Sequence, residues 1–297
     1  MIEVRDLRKT FDGFTALDKV NISVPKGSIY GIVGPNGSGK TTLIKHIVGI
    51  LIPDQGSITV EGEEVFDNPA VKKRIAYIPD DIYFFPQDNL NDMLNFYRRV
   101  YPQFNMERWE KIKPVFALDE KRSLRRFSRG MKKHAAFMLS LSMMPDILVL
   151  DEPMNGLDPV ARRKVWNLIF QDVAERQTTV FVSSHNLREL EDACDHVGIL
   201  HKGQVVLQRG LDELQNHIFK LQMGFHGDPP EFSSLNVLAD HRVGSVVQLV
   251  VRGEREQVLQ QAAALEPSML DVLPLSLEEI FIYELGGLDY EISTALI

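Results

Sequence analysis

The spacing of hydrophobic residues changes character along the chain. Up to about residue 80 it is strand-like. "IEVRDL", "VNISVP", "SIYGIVG", "GSITVEG" and "RIAYIPD" are rich in Ile and Val and are separated by turn formers such as "DGF" and "PKG". One helical pattern interrupts them, from Thr41 to about Ile50, and it stops before Pro53. From about Pro86 to Met144 the period becomes helical, in "NLNDMLNFYRRV", "MERWEKIKPVFAL" and "MKKHAAFMLSLSMM". Strands and helices then alternate again: "DILVLDEP", "PVARRKVWNLIFQDVAER", "TTVFVSSH", "NLRELEDACD" and a hairpin in "HVGILHKGQVV". The pattern predicts an α/β core interrupted by a helical insert of about 60 residues. The tail reads as α+β, with strands near "FKLQMGF" and "SVVQLVVRG" and helices near "EREQVLQQAAAL" and "SLEEIFIYEL".

Composition changes this picture in two ways. With 297 residues and 44% hydrophobic content, the chain can bury a large core and is expected to form two or three units. The net charge of -8 is unevenly placed. Residues 1–215 hold 29 Lys+Arg and 29 Asp+Glu, whereas residues 216–297 hold 4 and 12. That shift supports a boundary near "LDELQNHI", giving domains of residues 1–215 and 216–297. It also argues against nucleic acid or an anionic membrane surface as the tail's partner. The apolar runs are of strand length and the start, "MIEVRDLRK", has no signal-peptide core, so a soluble cytosolic chain is expected. The one cysteine, Cys194, reads as a small helical core residue.

"GPNGSGKTT", Gly34 to Thr42, satisfies G-x-x-x-x-G-K-[ST] between a predicted strand and a predicted helix. Gly34, Gly37 and Gly39, with Pro35, Asn36 and Ser38 between them, let the backbone curl so that successive N–H groups face one cavity. The helix that begins at Lys40, Thr41 and Thr42 adds its positive end. Lys40 supplies a full charge for the β- and γ-phosphates, and Thr41 offers a hydroxyl to Mg²⁺. This is the chemistry of a nucleoside-triphosphate site.

"ILVLDEP" ends an apolar strand in two carboxylates. Alone it reads as an acidic turn. Beside a phosphate loop, Asp151 is expected to hold Mg²⁺ through its water shell, and Glu152 to polarise the water that attacks the γ-phosphate. His185 ends "TTVFVSSH", 33 residues after Glu152, where a polar group can reach that phosphate.

Together these motifs resemble the ATP-binding subunit of an ABC transporter over about residues 1–215. Walker A is "GPNGSGKT", Walker B is "ILVLDEP", the D-loop is "NGLD" ending at Asp158, and the switch histidine is His185. The resemblance implies a P-loop core with an antiparallel β subdomain and a helical subdomain at about residues 86–144. It makes Phe11 the aromatic that stacks on adenine, although Phe11 can also be read as packing under its loop. It places "FSRGMKK" at the signature, where Ser128, Arg129, Gly130 and, from the D-loop, Asp158 meet the nucleotide of a second subunit. One Walker A and one signature cannot complete a site alone, so a paired cassette is implied, identical or paralogous, together with a multispanning permease.

Two positions depart from the family pattern. Arg129 stands where the first signature glycine is usual, and its charge can add a phosphate contact or clash. Asp80, in "IAYIPDD", stands at the Q-loop and is expected to ligate Mg²⁺ directly or through water. The apolar run Ile82–Phe85 then either docks the permease or packs on the helical insert. "SRGM" and the ending "PLSLEEIFIYELGG" are similar to the ABC-2 exporter branch serving bacterial peptides and antibiotics, including phenol-soluble-modulin exporters. The implied function is an exporter ATPase, peripheral on the inner face of the membrane. The alternatives are a soluble ABC ATPase on ribosomes or DNA, or a nucleotide-binding module with little turnover.

Overall fold

The computed structural model describes residues 1–285, and the chain divides into two compact units. The first comprises Met1–His185 with His196–Gln208; the second comprises Asn186–Asp195 with the chain from Arg209 onward. Residues 286–297, including the end of the tail motif and of the expected second domain, lie outside the described residues.

In the first unit β1 (Ile2–Phe11), β2 (Phe14–Val24), β3 (Ile29–Val33), α1 (Lys40–Ile47), β4 (Gln55–Val60), β5 (Glu63–Glu64), α2 (Pro69–Lys72) and β6 (Ile75–Ile78) follow in order. The helical insert supplies α3 (Leu90–Val100), α4 (Met106–Phe116), a 3₁₀ turn at Leu124–Arg126 and α5 (Arg129–Ser142). Then come β7 (Ile147–Leu150), α6 (Pro159–Arg176), β8 (Thr179–Ser184), β9 (His196–His201) and β10 (Gln204–Gly210).

Strands β2-β1-β4-β5 form an antiparallel sheet in that order. A second sheet has the order β10-β9-β3-β8-β7-β6, with parallel pairing from β9 through β6. Every residue of β3, β7 and β8 is buried, as expected of parallel strands covered on both faces. The core lies between the sheets. Leu17 and Val20 of the antiparallel sheet meet Ile32, Val149 and Phe181 of the parallel one, with Leu43, Ile44 and Ile47 from α1. Tyr30 and Phe181 stack at 5.4 Å between ring centres. Burying each such side chain is worth roughly 1.5–3 kcal/mol.

The insert is tied to the core by α5. From Ala135 to Ser142 this helix is buried all round, so it is a central helix rather than a surface one. It packs against α3, α4 and β6. The run after β6 divides its residues: Ile82 and Phe84 turn inward, while Tyr83 and Phe85 stay exposed. Packing and surface presentation thus each take half of it.

The second unit holds α7 (Arg188–Glu191), α8 (Leu211–His217), β11 (Ile218–Gly224), β12 (Val237–Val243), β13 (Val246–Arg252), α9 (Arg255–Ala263), β14 (Met269–Leu273) and α10 (Leu277–Leu285). Its antiparallel sheet runs β12-β13-β11-β14. Leu221 and Met223 pack with Val247, Leu249 and Val251 under Val258 and Ala262 of α9. The helix expected over "NLRELEDACD" shrinks to one turn. The Asn186 side chain accepts from the Arg188 N–H, and the Glu191 carboxylate accepts from the Leu277 N–H. Such side-chain bonds compete with helix propagation. Strands β12 and β14 escaped the periodicity because one carries Asp240, His241 and Arg242 and the other is five residues long.

Candidate nucleotide-binding and hydrolytic site

Parallel register brings four separated segments to one sheet edge. Val33 pairs with Ser184, Leu150 with Val182, and Ile78 with Leu150. The loops leaving these strands begin with Gly34, His185, Asp151 and Pro79, so their functional side chains converge at the carboxyl ends of the strands. A cleft of about 550 Å³ opens there. It is lined by residues including Phe11, Phe14, Lys40, Thr41, Asp80, Arg129, Glu152 and His185.

The phosphate loop is tightly built. A Cβ on Gly34 would lie 2.2 Å from the Leu200 carbonyl, so no larger residue fits there. Gly37 has open space around it but a φ of 82°, and its requirement is conformational. Gly39 starts α1 without a side-chain cap, and no acidic residue lies in the first turn. The orphan N–H groups and the positive helix end therefore remain available to an anion. Lys40 is almost fully buried and donates to the Gly34 carbonyl at 2.6 Å. Ser38 Oγ is buried without a hydrogen-bond partner.

Across from the loop, Thr41 Oγ1 donates to Asp151 Oδ2 at 2.8 Å. Asp151 is buried, and its other oxygen accepts from Ser183 Oγ at 2.7 Å. Glu152 has a φ of 46°, a left-handed conformation that a non-glycine residue rarely adopts. Its N–H donates to Ser183 Oγ at 3.0 Å, and its carbonyl accepts from Lys133 Nζ at 2.6 Å. The carboxylate lies 2.8 Å from His185 Nδ1 and 3.4 Å from Lys40 Nζ. Its Oε1 is buried without a hydrogen bond. Thus Glu152 and His185 touch directly.

Ser183 was not singled out by sequence reasoning. The signal lay in "VSSH": a hydroxyl on the strand between β3 and β7 can reach both acids, but only once strand order is known. Phe14 was also missed. It pairs with Phe11 across the hairpin turn, and both rings are exposed at the cleft.

The two departures from the family pattern meet each other. Arg129 Nη2 lies 2.7 Å from Asp80 Oδ1, and Lys133 Nζ lies 3.4 Å from the same oxygen. Arg129 and Lys133 are four residues apart on α5, where like charges repel, and Asp80 sits between them. Burial pulls the Lys133 pKa down, partly offset by the Asp80 charge. Asp80 thus contacts two cations of its own chain. Ser128 caps α5, accepting from the Met131 N–H at 3.2 Å. A Cβ on Gly130 would sit 3.2 Å from the Gly156 carbonyl, so the signature and D-loop touch within one chain. Asp158 caps α6 through the Val160 and Ala161 N–H groups, which hold its carboxyl below the usual carboxylate range. Within this chain, Ser128 and Asp158 are thus helix caps.

Among the described residues, no cluster of three or more His, Cys, Asp or Glu side chains forms a metal cage. Mg²⁺ does not need one, since it is usually held by one or two protein oxygens plus substrate phosphates and water. The Thr41 hydroxyl and Asp151 carboxylate beside the loop fit that requirement.

The model of the ABC transporter family matches residues 17–155. The ABC transporter ATP-binding protein YtrB of Bacillus subtilis is 33% identical, covering 97% of this chain and 99% of that protein. The bacitracin transport ATP-binding protein BcrA of Bacillus licheniformis is 34% identical over 72% of this chain and 71% of its own length. A solved ATP-binding subunit of an ABC transporter superposes with a TM-score of 0.67 at 28% identity, covering 72% of this chain and 91% of that one. This chain belongs to the family of ABC transporter ATP-binding proteins, and it is an ATPase.

Proposed function

From that membership, we propose that the ATPase energises a membrane exporter of the ABC-2 branch, carrying amphipathic or antimicrobial peptides or drugs. The similarity to a bacitracin transport protein and to the lantibiotic transport protein SrtF of Streptococcus pyogenes supports this cargo class. So do the "SRGM" signature and the "PLSLEEIFIYEL" tail. In this reading the charge shift near residue 215 divides a nucleotide-binding domain, residues 1–215, from an accessory domain that follows it.

The observation that carries the hydrolytic reading is the Glu152 carboxylate, seated between His185 and Lys40 at the phosphate loop. Lys40 and the N–H groups of Gly37–Thr42 cradle the β- and γ-phosphates, and Phe11 stacks on the base. Thr41 and Asp151 would hold Mg²⁺, which neutralises charge on the phosphates when bound. Glu152 accepts a proton from the attacking water, and His185 orients that carboxylate and faces the γ-phosphate. Ser128, Arg129, Gly130 and Asp158 serve the nucleotide of a second cassette, so two copies or paralogues close around two ATP molecules.

Among the described residues no helix is long and apolar enough to cross a membrane. In this reading a multispanning permease holds the chain at the inner membrane face. The exposed Tyr83 and Phe85, beside Asp80, suit that docking. Co-purification with a multispanning membrane protein, and peptide export that fails in a Glu152→Gln strain, are the expected results. Export that continues unchanged would remove the transport reading.

A further inference from the structure

Lys133 is the one lysine with a side chain of zero exposure among the described residues, and it lies outside the residues that line the cleft. A buried ammonium is costly unless well partnered. The plain reading is a core ion pair with Asp80, but the geometry favours another emphasis. The contact with Asp80 is 3.4 Å, whereas the bond to the Glu152 carbonyl is 2.6 Å. That carbonyl belongs to a residue with a strained backbone, φ 46°, whose N–H is held on the other side by Ser183. The peptide groups flanking the Glu152 Cα are therefore clamped from two directions, by β8 and by α5.

We propose that Lys133 is a positioning residue for ATP hydrolysis: its ammonium, steadied by Asp80, pins the Glu152 main chain so that the carboxylate points between His185 and Lys40. The inference rests on reading Glu152 as the group that activates water. Without the Lys133 bond, the Glu152 carbonyl keeps only the longer contact from the Asn155 N–H, 3.3 Å, and the carboxylate leaves its productive direction more often. Lys133 touches no cleft-lining nucleotide contact except through Asp80 and Glu152, so nucleotide affinity is spared. Asp80 here acts as the counter-ion that permits a buried ammonium and also collects Arg129. The "SRG" and "PDD" departures thus meet in one ion pair.

The test uses the full-length chain with three variants. Lys133→Met keeps length and removes the ammonium. Lys133→Gln keeps a neutral donor. The third combines Lys133→Met with Glu152→Gln. Turnover, the KM for ATP, the Kd for a fluorescent ATP analogue and the melting temperature are measured for each. A misplaced catalytic group commonly costs about 10- to 100-fold in rate. Lys133→Met should lose kcat in that range, with KM and analogue Kd within about twofold of wild type. Lys133→Gln should recover several-fold of the loss.

In the Glu152→Gln background, Lys133→Met should lower the residual rate no further, because both changes act through one group. The proposal is overturned if kcat is unchanged, if affinity and kcat fall together, or if the loss repeats undiminished in the Glu152→Gln background. A Lys133→Met protein that does not melt cooperatively shifts the decision to Lys133→Gln. There kcat should fall several-fold with analogue Kd within about twofold of wild type, whereas a wild-type kcat or a drop in analogue affinity overturns the proposal. Wild-type protein that binds the analogue but never hydrolyses ATP would instead overturn the reading of Glu152 itself.

Discussion

The phosphate loop and the signature segment each open a helix, α1 and α5, and they are held in different ways. Gly39 starts α1 with no side-chain cap, and residues of that first turn line the cleft. Ser128 starts α5 with its hydroxyl already bonded to the Met131 N–H. The first helix end is open to an anion bound in the chain's own cleft. The second has one N–H capped by Ser128, whose own O–H is left to donate to a neighbour's phosphate. The loop also needs only nine consecutive residues, while the acidic and basic side of the cleft draws on Asp80, Lys133, Asp151, Glu152, Ser183 and His185 from separate elements. The contrast suggests that nucleotide affinity resides in a contiguous segment, and turnover in a dispersed one.

The largest expected effect tests the dispersed side. Glu152→Gln should lower kcat by about 100- to 10,000-fold, the range of a lost general base, while leaving ATP affinity near wild type. It should also trap a dimer in Mg²⁺–ATP, visible by size exclusion. A strictly monomeric variant would break the paired-site reading.

Lys40→Ala tests the contiguous side. Loss of a desolvated charge contact costs about 2–5 kcal/mol, so nucleotide binding should weaken by at least about 30-fold in a fluorescence titration. Equal losses of affinity in Lys40→Ala and Glu152→Gln would erase the division between the two sides.

Ser183→Ala sharpens it further. It removes the hydroxyl that bonds Asp151 and the Glu152 N–H. Turnover should fall about tenfold, consistent with a lost buried hydrogen bond of about 1–1.5 kcal/mol, with little change in KM. Ser128→Ala should cost about 1 kcal/mol of stability through the lost helix cap, read as a lower melting temperature of the nucleotide-free protein. If Ser128 also serves the neighbouring nucleotide, ATP-dependent dimerisation should weaken as well. An altered melting temperature with normal dimerisation would confine Ser128 to its capping role.

The smallest effect concerns the adenine end. Phe11→Ala and Phe14→Ala should each raise the KM for ATP only a few-fold, because a stacked aromatic pair contributes about 0.5–1.5 kcal/mol. If Phe14→Ala costs more than Phe11→Ala, the stacking ring is Phe14.

Much of this molecule was legible in the residue order. "GPNGSGKTT" specifies its own structure, because glycine conformation and the following helix are local properties. Helix α6 and the strands around Ile29–Val33 and Ile147–Leu150 were legible for the same reason, since their periodicity and turn residues agree. Strands β12 and β14 were not, because edge and short strands take their stability from pairing partners rather than from their own pattern. The candidate acids Asp151 and Glu152 were visible as types, but their division of labour was not. Only strand order places Ser183 between β3 and β7, where one hydroxyl serves both acids.

The fate of Arg129 and Asp80 shows the boundary most clearly. The family resemblance marks each as a departure, with a phosphate contact or a clash expected for Arg129 and Mg²⁺ for Asp80. The fold places them 2.7 Å apart, across 49 residues of chain, with buried Lys133 beneath. Residue order determines which charges exist and which helix or loop carries them. Which charge neutralises which is decided by tertiary packing, because a Coulomb contact falls off with distance in space and takes no account of separation along the chain.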